Sequence, residues 1–206
     1  MKVLLINGSP RERGCTYTAL SEVARTLEEE GIAAELLHLG REPIPGCLAC
    51  GRCRERGQCV FNDLVNATAA RLEAFDGLIL GTPVYYAAAS GQLTAFLNRL
   101  FYAAGKKLAG KPGACVVSCR RGGAAAAFDQ LNKYFTINQM PVVSSQYWNQ
   151  VHGNSPKEVL QDAEGLQTLR TLGRNMAWLL KCIEAGRLAG IQRPEAEPVI
   201  RTNFIR

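Results

Sequence analysis

Four cysteines are concentrated in one short stretch of the chain. Cys47, Cys50, Cys53 and Cys59 follow the spacing C-x₂-C-x₂-C-x₅-C. Thiolates are redox nucleophiles and ligands for soft metals, so this density indicates a [4Fe–4S] cluster, a zinc ion or a redox-active thiol set. The compact C-x₂-C-x₂-C run favours a cubane cluster, because structural zinc more often uses two separated C-x₂-C pairs. We therefore predict metal ligation by all four cysteines, with a metal-free loop as the alternative.

A second candidate segment, from Gly8 to Thr18, could bind a phosphate. It joins the apolar run Val3–Ile6 to a stretch of helical periodicity that begins at Cys15, and helix N-termini attract anions through free N–H groups. Hydroxyl and guanidinium groups are available nearby on Ser9, Thr16, Thr18 and Arg11. The segment has no G-x-G-x-x-G and no Walker pattern, which favours a monophosphate over a dinucleotide or a nucleoside triphosphate. An ordinary capped turn is the alternative interpretation.

Two further segments could contact a flat ligand. Pro83-Val84-Tyr85-Tyr86 follows a buried apolar run, and tyrosine rings can stack on another ring while their hydroxyls find polar partners. The segment from Ser118 to Gly123 contains two adjacent glycines, which let a backbone approach a ligand closely, and the cations Arg120 and Arg121. Plain packing of the tyrosines and a solvated surface turn are the alternatives.

The predicted elements explain why these segments could meet. Apolar runs alternate with stretches of helical periodicity, which is typical of a parallel sheet covered by helices on both faces. Strands are predicted at residues 2–7, 32–39, 76–81, 114–118 and 141–143, and helices at 15–31, 64–75, 93–101, 124–135 and 155–185. Ligands of such sheets bind beyond the carboxyl ends of the strands. The loops 9–18, 82–86 and 118–123 are therefore expected to converge.

Length and composition bound the organisation and the partners. The 206 residues, 47% hydrophobic and 20% charged, suit one domain over 1–185, which includes the cysteine loop 40–62, and a tail over 186–206. The net charge of +6 is scattered along the chain, so no nucleic acid partner is expected. The first apolar run is too short for a signal peptide, and no stretch is long enough for a membrane span. We therefore expect a cytoplasmic protein with no membrane partner.

The chain resembles the NADPH-dependent FMN reductase and iron–sulfur flavoprotein family of the flavodoxin-like superfamily. The resemblance covers residues 1–185 and rests on three segments in this order: Gly8-Ser9-Pro10-Arg11 with Gly14-Cys15-Thr16, the cysteine loop, and Gly81-Thr82-Pro83-Val84-Tyr85-Tyr86. It implies an α/β fold with a doubly wound five-stranded parallel sheet of order 2-1-3-4-5, and non-covalently bound FMN. Cys15 stands where relatives often carry asparagine, which puts one hydrogen bond near the phosphate in doubt.

The same resemblance assigns roles to individual residues. The phosphate would be held by Ser9, Arg11, Thr16, Tyr17 and Thr18. The flavin ring would contact Pro83, Val84, Tyr85 and Tyr86 on one side, and Ser118, Arg120, Arg121, Gly122 and Gly123 on the other. Which of the two arginines faces the flavin stays open.

The implied activity is that of an FMN-dependent oxidoreductase, which takes electrons from NAD(P)H and passes them to a small-molecule acceptor. Because a flavin carries the chemistry itself, no catalytic side chain is assigned. The alternative is an electron carrier, in which a [4Fe–4S] cluster takes electrons from ferredoxin and passes them to FMN. Relatives form homodimers or homotetramers, and the apolar tail with Val199, Ile200, Phe204 and Ile205 is predicted to pack on a neighbouring subunit.

Overall fold

Five parallel strands form the centre of the molecule. The computed structural model describes residues 1–204. Its strands are β1 (Lys2–Asn7), β2 (Ala33–His38), β3 (Gly77–Pro83), β4 (Gly113–Cys119) and β5 (Gln150–His152). They lie in the order β2-β1-β3-β4-β5, and every pair is parallel. The predicted doubly wound sheet and its strand order are therefore confirmed.

Helices cover the sheet on both faces. Their bounds are α1 (Cys15–Glu29), α2 (Cys53–Arg56), α3 (Leu64–Arg71), α4 (Gly91–Ala104), α5 (Ala124–Ile137), α6 (Pro156–Val159) and α7 (Ala163–Leu188). Short 3₁₀ turns follow α3 and α4, at Leu72–Ala74 and Gly105–Leu108. The helices α1 and α7 pack on one face, and α3, α4 and α5 pack on the other.

The two-sided cover explains the continuous apolar run of β1. Leu4 and Ile6 pack with α3 and α4, whereas Val3 and Leu5 pack with α1 and α7. Successive side chains of a strand point to opposite faces, so a strand buried on both faces needs apolar residues at every position. Each of these side chains contributes about 1.5–3 kcal/mol through its burial.

A close contact between β3 and α1 sets the position of the helix. A Cβ at Gly81 would lie 2.6 Å from Cδ1 of Leu20, so only glycine lets the α1 side chain reach the strand backbone. The N–H of Gly8 donates to the carbonyl of Gly81 at 2.8 Å, directly after β1. The end of β1, the end of β3 and the start of α1 are consequently held close together.

Two predicted elements differ in the structure. The prediction of the fifth strand at 141–143 was wrong, because Val142 makes only an isolated bridge with Gly113 and β5 is Gln150–His152. Both segments lie beside β4, but Pro141 has no N–H to extend the ladder, and the chain returns to β4 nine residues later.

The predicted helix 155–185 is divided into α6 and α7, because Asp162 caps α7 by accepting from the N–H of Gly165 at 2.9 Å.

The chain after α7 has no regular structure up to residue 204. The apolar side chains of Val199, Ile200 and Phe204 are exposed there, so their packing on a neighbouring subunit stays a prediction. Residues 205–206 of that predicted tail lie outside the described residues. Within residues 1–204, none of the helices has the length and hydropathy that a membrane span requires.

The loop after β4 packs against the loop after β3, and two adjacent glycines test how close that contact is. Gly123 has a φ of +89°, and a Cβ there would lie 2.9 Å from Cα of Ala87, whereas a Cβ at Gly122 would meet nothing within 4 Å. We expect Gly123→Ala to lower the free energy of unfolding by about 1–3 kcal/mol, because it adds both strain and a backbone clash. Gly122→Ala should change it by less than about 0.5 kcal/mol. Urea denaturation of the flavin-free protein measures both, and equal midpoints would contradict the packing described.

Candidate functional site

Three loops meet at the carboxyl edge of the sheet and enclose a cleft of about 210 Å³. They follow β1, β3 and β4, the central strands of the sheet. The lining residues are Ser9, Arg11, Cys15, Thr16, Pro83, Val84, Tyr85, Ser118, Cys119, Arg120, Gly153 and Asn154. The cleft therefore brings together residues from all three of the loops that the sequence predicts to converge.

The loop after β1 is shaped by side chains that bond to its own backbone. The Asn7 amide oxygen accepts from the N–H of Ser9 at 3.0 Å, and its amide nitrogen donates to the carbonyl of Glu12 at 3.2 Å. The Ser9 hydroxyl accepts from the N–H of Arg11 at 3.1 Å. On its outer side, the Ser9 carbonyl is bonded to Nε2 of His38 at 2.8 Å. The loop is thereby fixed before any ligand enters.

The N-terminus of α1 opens into this cleft. Gly14 caps the helix without a side chain, and the first turn carries no acidic residue. Within residues 1–204, the N–H groups of Cys15, Thr16 and Tyr17 have no backbone partner. Three free N–H groups and the positive end of the helix dipole make this the most favourable place in the cleft for an anion.

Two thiols border the same cleft as neutral groups. Burial raises the pKa of the Cys15 thiol, although nearby Arg11 acts to lower it. Burial also raises the pKa of the Cys119 thiol. The Cys15 thiol donates to the carbonyl of Gly153 at 3.6 Å, which joins the start of α1 to the loop after β5. Neither thiol therefore places a negative charge beside an anion.

Buried hydroxyls connect the three loops beneath the cleft. The hydroxyls of Thr16 and Ser118 are hydrogen-bonded at 2.8 Å. The Ser90 hydroxyl donates to the carbonyl of Gly8 at 2.7 Å, and the Ser90 N–H donates to the hydroxyl of Thr82 at 3.0 Å. Because these groups are buried, breaking any one of their hydrogen bonds leaves a polar group unsatisfied and costs free energy. The loop geometry is consequently rigid.

The aromatic loop ends in a tight reversal. Tyr85 and Ala88 exchange both backbone hydrogen bonds, at 2.9 and 3.0 Å. The two residues between them, Tyr86 and Ala87, have φ values of +50° and +59°, which is the type I′ geometry. Such a conformation is uncommon for tyrosine. It leaves the Tyr86 ring fully exposed at the tip of the loop.

Six of the predicted site residues do not line the cleft. They are Tyr17, Thr18, Tyr86, Arg121, Gly122 and Gly123. The Thr18 hydroxyl donates to the carbonyl of Gly14 at 3.1 Å and so stabilises the first turn of α1. Of the two arginines after β4, Arg120 borders the cleft and Arg121 does not.

The sequence interpretation missed four residues of the cleft. Cys15 and Cys119 were not assigned to the site, although they adjoin assigned residues. Gly153 and Asn154 follow β5, and the misplaced fifth strand removed its following loop from the predicted convergence. The signal that could have found them is the alternating run Gln150-Val151-His152 before Gly153, which is short but typical of an edge strand.

A second cavity is lined by all four cysteines of the cysteine loop. Its other walls come from Leu48, Gly51, Val60, Phe61, Arg99 and Tyr102. Cys47 and Cys50 are exposed, and Cys53 and Cys59 are half-buried. Within residues 1–204, no three His, Cys, Asp or Glu side chains are arranged to hold a single metal ion. In a cubane, each cysteine binds a different iron, so the ligands surround a volume rather than meet at one point.

One buried cation joins this cavity to the protein interior. Arg99 of α4 pairs with Asp63 through two nitrogen–oxygen contacts of 2.7 and 2.8 Å, and its Nε donates to Sγ of Cys59 at 3.2 Å. Burial alone would lower the pKa of Arg99, but these partners outweigh that effect and raise it. Asp63 also caps α3 by accepting from the N–H of Val65 at 3.1 Å.

Comparison with known sequences identifies relatives over most of the chain. Residues 1–154 match the family described as NADPH-dependent FMN reductase. An iron–sulfur flavoprotein of Methanocaldococcus jannaschii is 33% identical over 192 residues, which cover 89% of this chain and 100% of the relative. An iron–sulfur flavoprotein of Methanosarcina thermophila is 27% identical, over 91% of this chain and 99% of the relative.

Solved structures share the fold at lower identity. A flavodoxin from the domain Archaea superimposes with a TM-score of 0.61 and 14% identity, over 88% of this chain and 99% of that one. An NADH:FMN oxidoreductase in its apo form gives a TM-score of 0.64 and 20% identity, over 86% of this chain and 89% of that one. Together with the cleft at the end of β1, β3 and β4, these matches show that the chain belongs to the NADPH-dependent FMN reductase family and has a flavodoxin-like fold.

Proposed function

We propose that this flavoprotein oxidoreductase binds its FMN in the cleft beyond β1, β3 and β4. The observation that carries the proposal is the N-terminus of α1. Cys15 and Thr16 line the cleft together with Ser9 and Arg11, and within residues 1–204 the N–H groups of Cys15 and Thr16 have no backbone partner. A phosphate there gains charge-assisted hydrogen bonds without displacing any internal partner. When bound, FMN supplies the electron-transfer chemistry.

The surrounding residues bind and orient the flavin. The phosphate position is held or shaped by five residues of the loop after β1 and the first turn of α1: Ser9, Arg11, Thr16, Tyr17 and Thr18. One side of the ring faces the loop after β3, with Pro83, Val84, Tyr85 and Tyr86. The other side faces the loop after β4, with Ser118, Arg120, Arg121, Gly122 and Gly123. Arg120 borders the cleft, so its guanidinium is the better placed of the two arginines to stabilise negative charge on the ring.

The electron donor of the principal proposal is NAD(P)H, and the acceptor is a small molecule. The description of the matched family names NADPH. This mode of action needs no cysteine loop.

A second candidate function is supported by the cysteine cavity. In it, Cys47, Cys50, Cys53 and Cys59 hold a [4Fe–4S] cluster, which receives electrons from reduced ferredoxin and passes them to FMN. The four thiols line one cavity, and the relatives named above are iron–sulfur flavoproteins. Arg52, Arg54 and Arg56 are exposed on the same loop, where they offer a positive surface to an acidic electron carrier.

The strained tip of the aromatic loop gives a test of the flavin position. We expect Tyr86→Gly to weaken FMN binding roughly tenfold, because an aromatic contact is lost, while the free energy of unfolding of the flavin-free protein holds or rises as left-handed strain is relieved. Ala87→Gly is the matched control and should relieve the same strain with unchanged FMN affinity. Fluorescence titration and urea denaturation give both quantities. Equal FMN affinities in the two variants would remove Tyr86 from the proposed site.

Iron analysis separates the two candidate functions. After anaerobic purification and reconstitution, we expect bound FMN and about four irons per chain. The Cys53→Ser variant should retain FMN but lose its iron and its reduction by ferredoxin. The Cys182→Ser variant, at an exposed cysteine outside the loop, should retain FMN, iron and reduction by ferredoxin. Flavin without iron, reduced by NADPH, would favour the principal proposal alone. A protein that takes up no FMN would contradict both.

We further propose that the chain forms a homodimer or homotetramer through its tail. The side chains of Val199 and Ile200 are 80% and 89% exposed, which is unfavourable in water unless a second subunit covers them. The double variant Val199→Ser, Ile200→Ser should therefore reduce the mass measured by light scattering. Leu160→Ser, at an exposed leucine of the domain, is the control and should not change it. A wild-type monomer at micromolar concentration would overturn the proposal.

A further inference from the structure

Arg99 is the largest side chain that is fully buried in the domain. It lies on α4 among Phe96, Leu97 and Leu100, which pack into the core on the same helix. Burying a guanidinium costs several kcal/mol, even when it is paired, and an apolar side chain at such a position is often at least as stable. Stability alone therefore gives no reason for an arginine here.

The contacts of Arg99 all lead to the cysteine loop and the residues that follow it. Its two terminal nitrogens bond to the carboxylate of Asp63, and one of them also donates to the carbonyl of Pro45 at 3.2 Å. The ring of Phe61 lies 4.7 Å from the centre of the guanidinium. The remaining donor, Nε, is directed at Sγ of Cys59. Arg99 thus contacts both ends of the loop and one of the four thiols.

Cys59 is the most firmly held of the four cysteines. Its backbone N–H donates to the side chain of Asn66 at 2.9 Å, and the Asn66 amide donates back to the carbonyls of Cys59 and Phe61, each at 2.9 Å. Asn66 lies on α3, which Asp63 caps. By contrast, Cys47 and Cys50 are exposed on the outer part of the loop. One corner of the cavity is therefore anchored to α3 and α4, and the rest of the loop covers it.

We propose that Arg99 is a positioning residue for the iron–sulfur centre, which orients the Cys59 thiolate through its Nε–H···S hydrogen bond and raises the reduction potential of the cluster. This inference rests on the [4Fe–4S] cluster of the second candidate function. Hydrogen bonds to the ligand sulfurs are among the factors that set cluster potentials, and outer contacts of this kind orient the ligands.

The direction of the effect follows from charge. Reduction adds one electron to the cluster and its thiolates, so a hydrogen-bond donor and a cation next to a ligand sulfur stabilise the reduced form more than the oxidised form. Asp63 opposes this, because its carboxylate neutralises the guanidinium. Removing the donor should therefore lower the potential, and removing the carboxylate should raise it.

Three variants test the proposal by redox titration of the reconstituted protein, followed by electron paramagnetic resonance. Arg99→Lys keeps the positive charge but loses the planar Nε donor, so we expect a more negative cluster potential and iron release to a chelator that is roughly tenfold faster. Asp63→Asn keeps the Cys59 contact and should shift the potential to a more positive value. Arg174→Lys, at an exposed arginine of α7, is the matched control and should change neither quantity. FMN content and unfolding midpoint report on the integrity of each variant.

The outcomes are distinguishable. Opposite shifts for Arg99→Lys and Asp63→Asn support the proposal, since a loop that was merely loosened would shift in the same direction in both variants. An unchanged potential and unchanged iron release in a folded, flavin-containing Arg99→Lys protein would overturn it, while the cluster itself would stand. If Arg99→Lys does not fold, an unchanged or lowered potential in Asp63→Asn overturns it. Wild-type protein without iron after reconstitution would overturn the cluster and this inference together, and the FMN proposal would be unaffected.

Discussion

The parallel pairing of β1 with β3, and of β3 with β4, is the constraint on which the cleft depends. It brings Asn7, Pro83 and Ser118 to one edge of the sheet, where the chain must leave each strand as a loop. The hydroxyl pair of Thr16 and Ser118 then fixes the start of α1 against the end of β4. Because these contacts are internal to the protein, the cleft and the N-terminus of α1 beside it are formed without a ligand, so the proposed binding of FMN there needs little reorganisation.

The charges around the two candidate centres are arranged differently. At the cleft, positive potential comes from the backbone of α1 and from Arg11 and Arg120 at its border, while burial keeps the Cys15 thiol neutral. At the cysteine cavity, the Arg99 cation is enclosed in the core and paired with Asp63. The N-terminus of a helix is a suitable site for a phosphate, whose charge stays fixed. The charge of a redox centre changes with each electron, so its reduction potential is sensitive to a single hydrogen bond.

The two centres are also joined to the same scaffold. Ser90, which bonds to the loop after β1, is the N-cap of α4, and Arg99 lies on the last part of that helix. The helix therefore connects the floor of the cleft to the anchored corner of the cysteine cavity. Its buried leucine and phenylalanine side chains hold it against β1 and β3, so the relative position of the two centres is set by core packing rather than by the exposed loop.

The sequence by itself determined the alternation of strands and helices, the three convergent loops and the cysteine spacing, because apolar periodicity and short motifs are local properties of the chain. The sheet order followed from the family resemblance that those motifs carry. It placed β5 at 141–143, since three apolar residues after a turn look like a strand, whereas pairing with β4 selected Gln150–His152 and brought Gly153 and Asn154 to the cleft. Arg99 gave no local signal, because an arginine among leucines is also typical of a helix edge facing solvent. Only the tertiary structure buried it against Asp63 and Cys59, since these residues lie 36 and 40 positions away in the chain and folding alone brings them into contact.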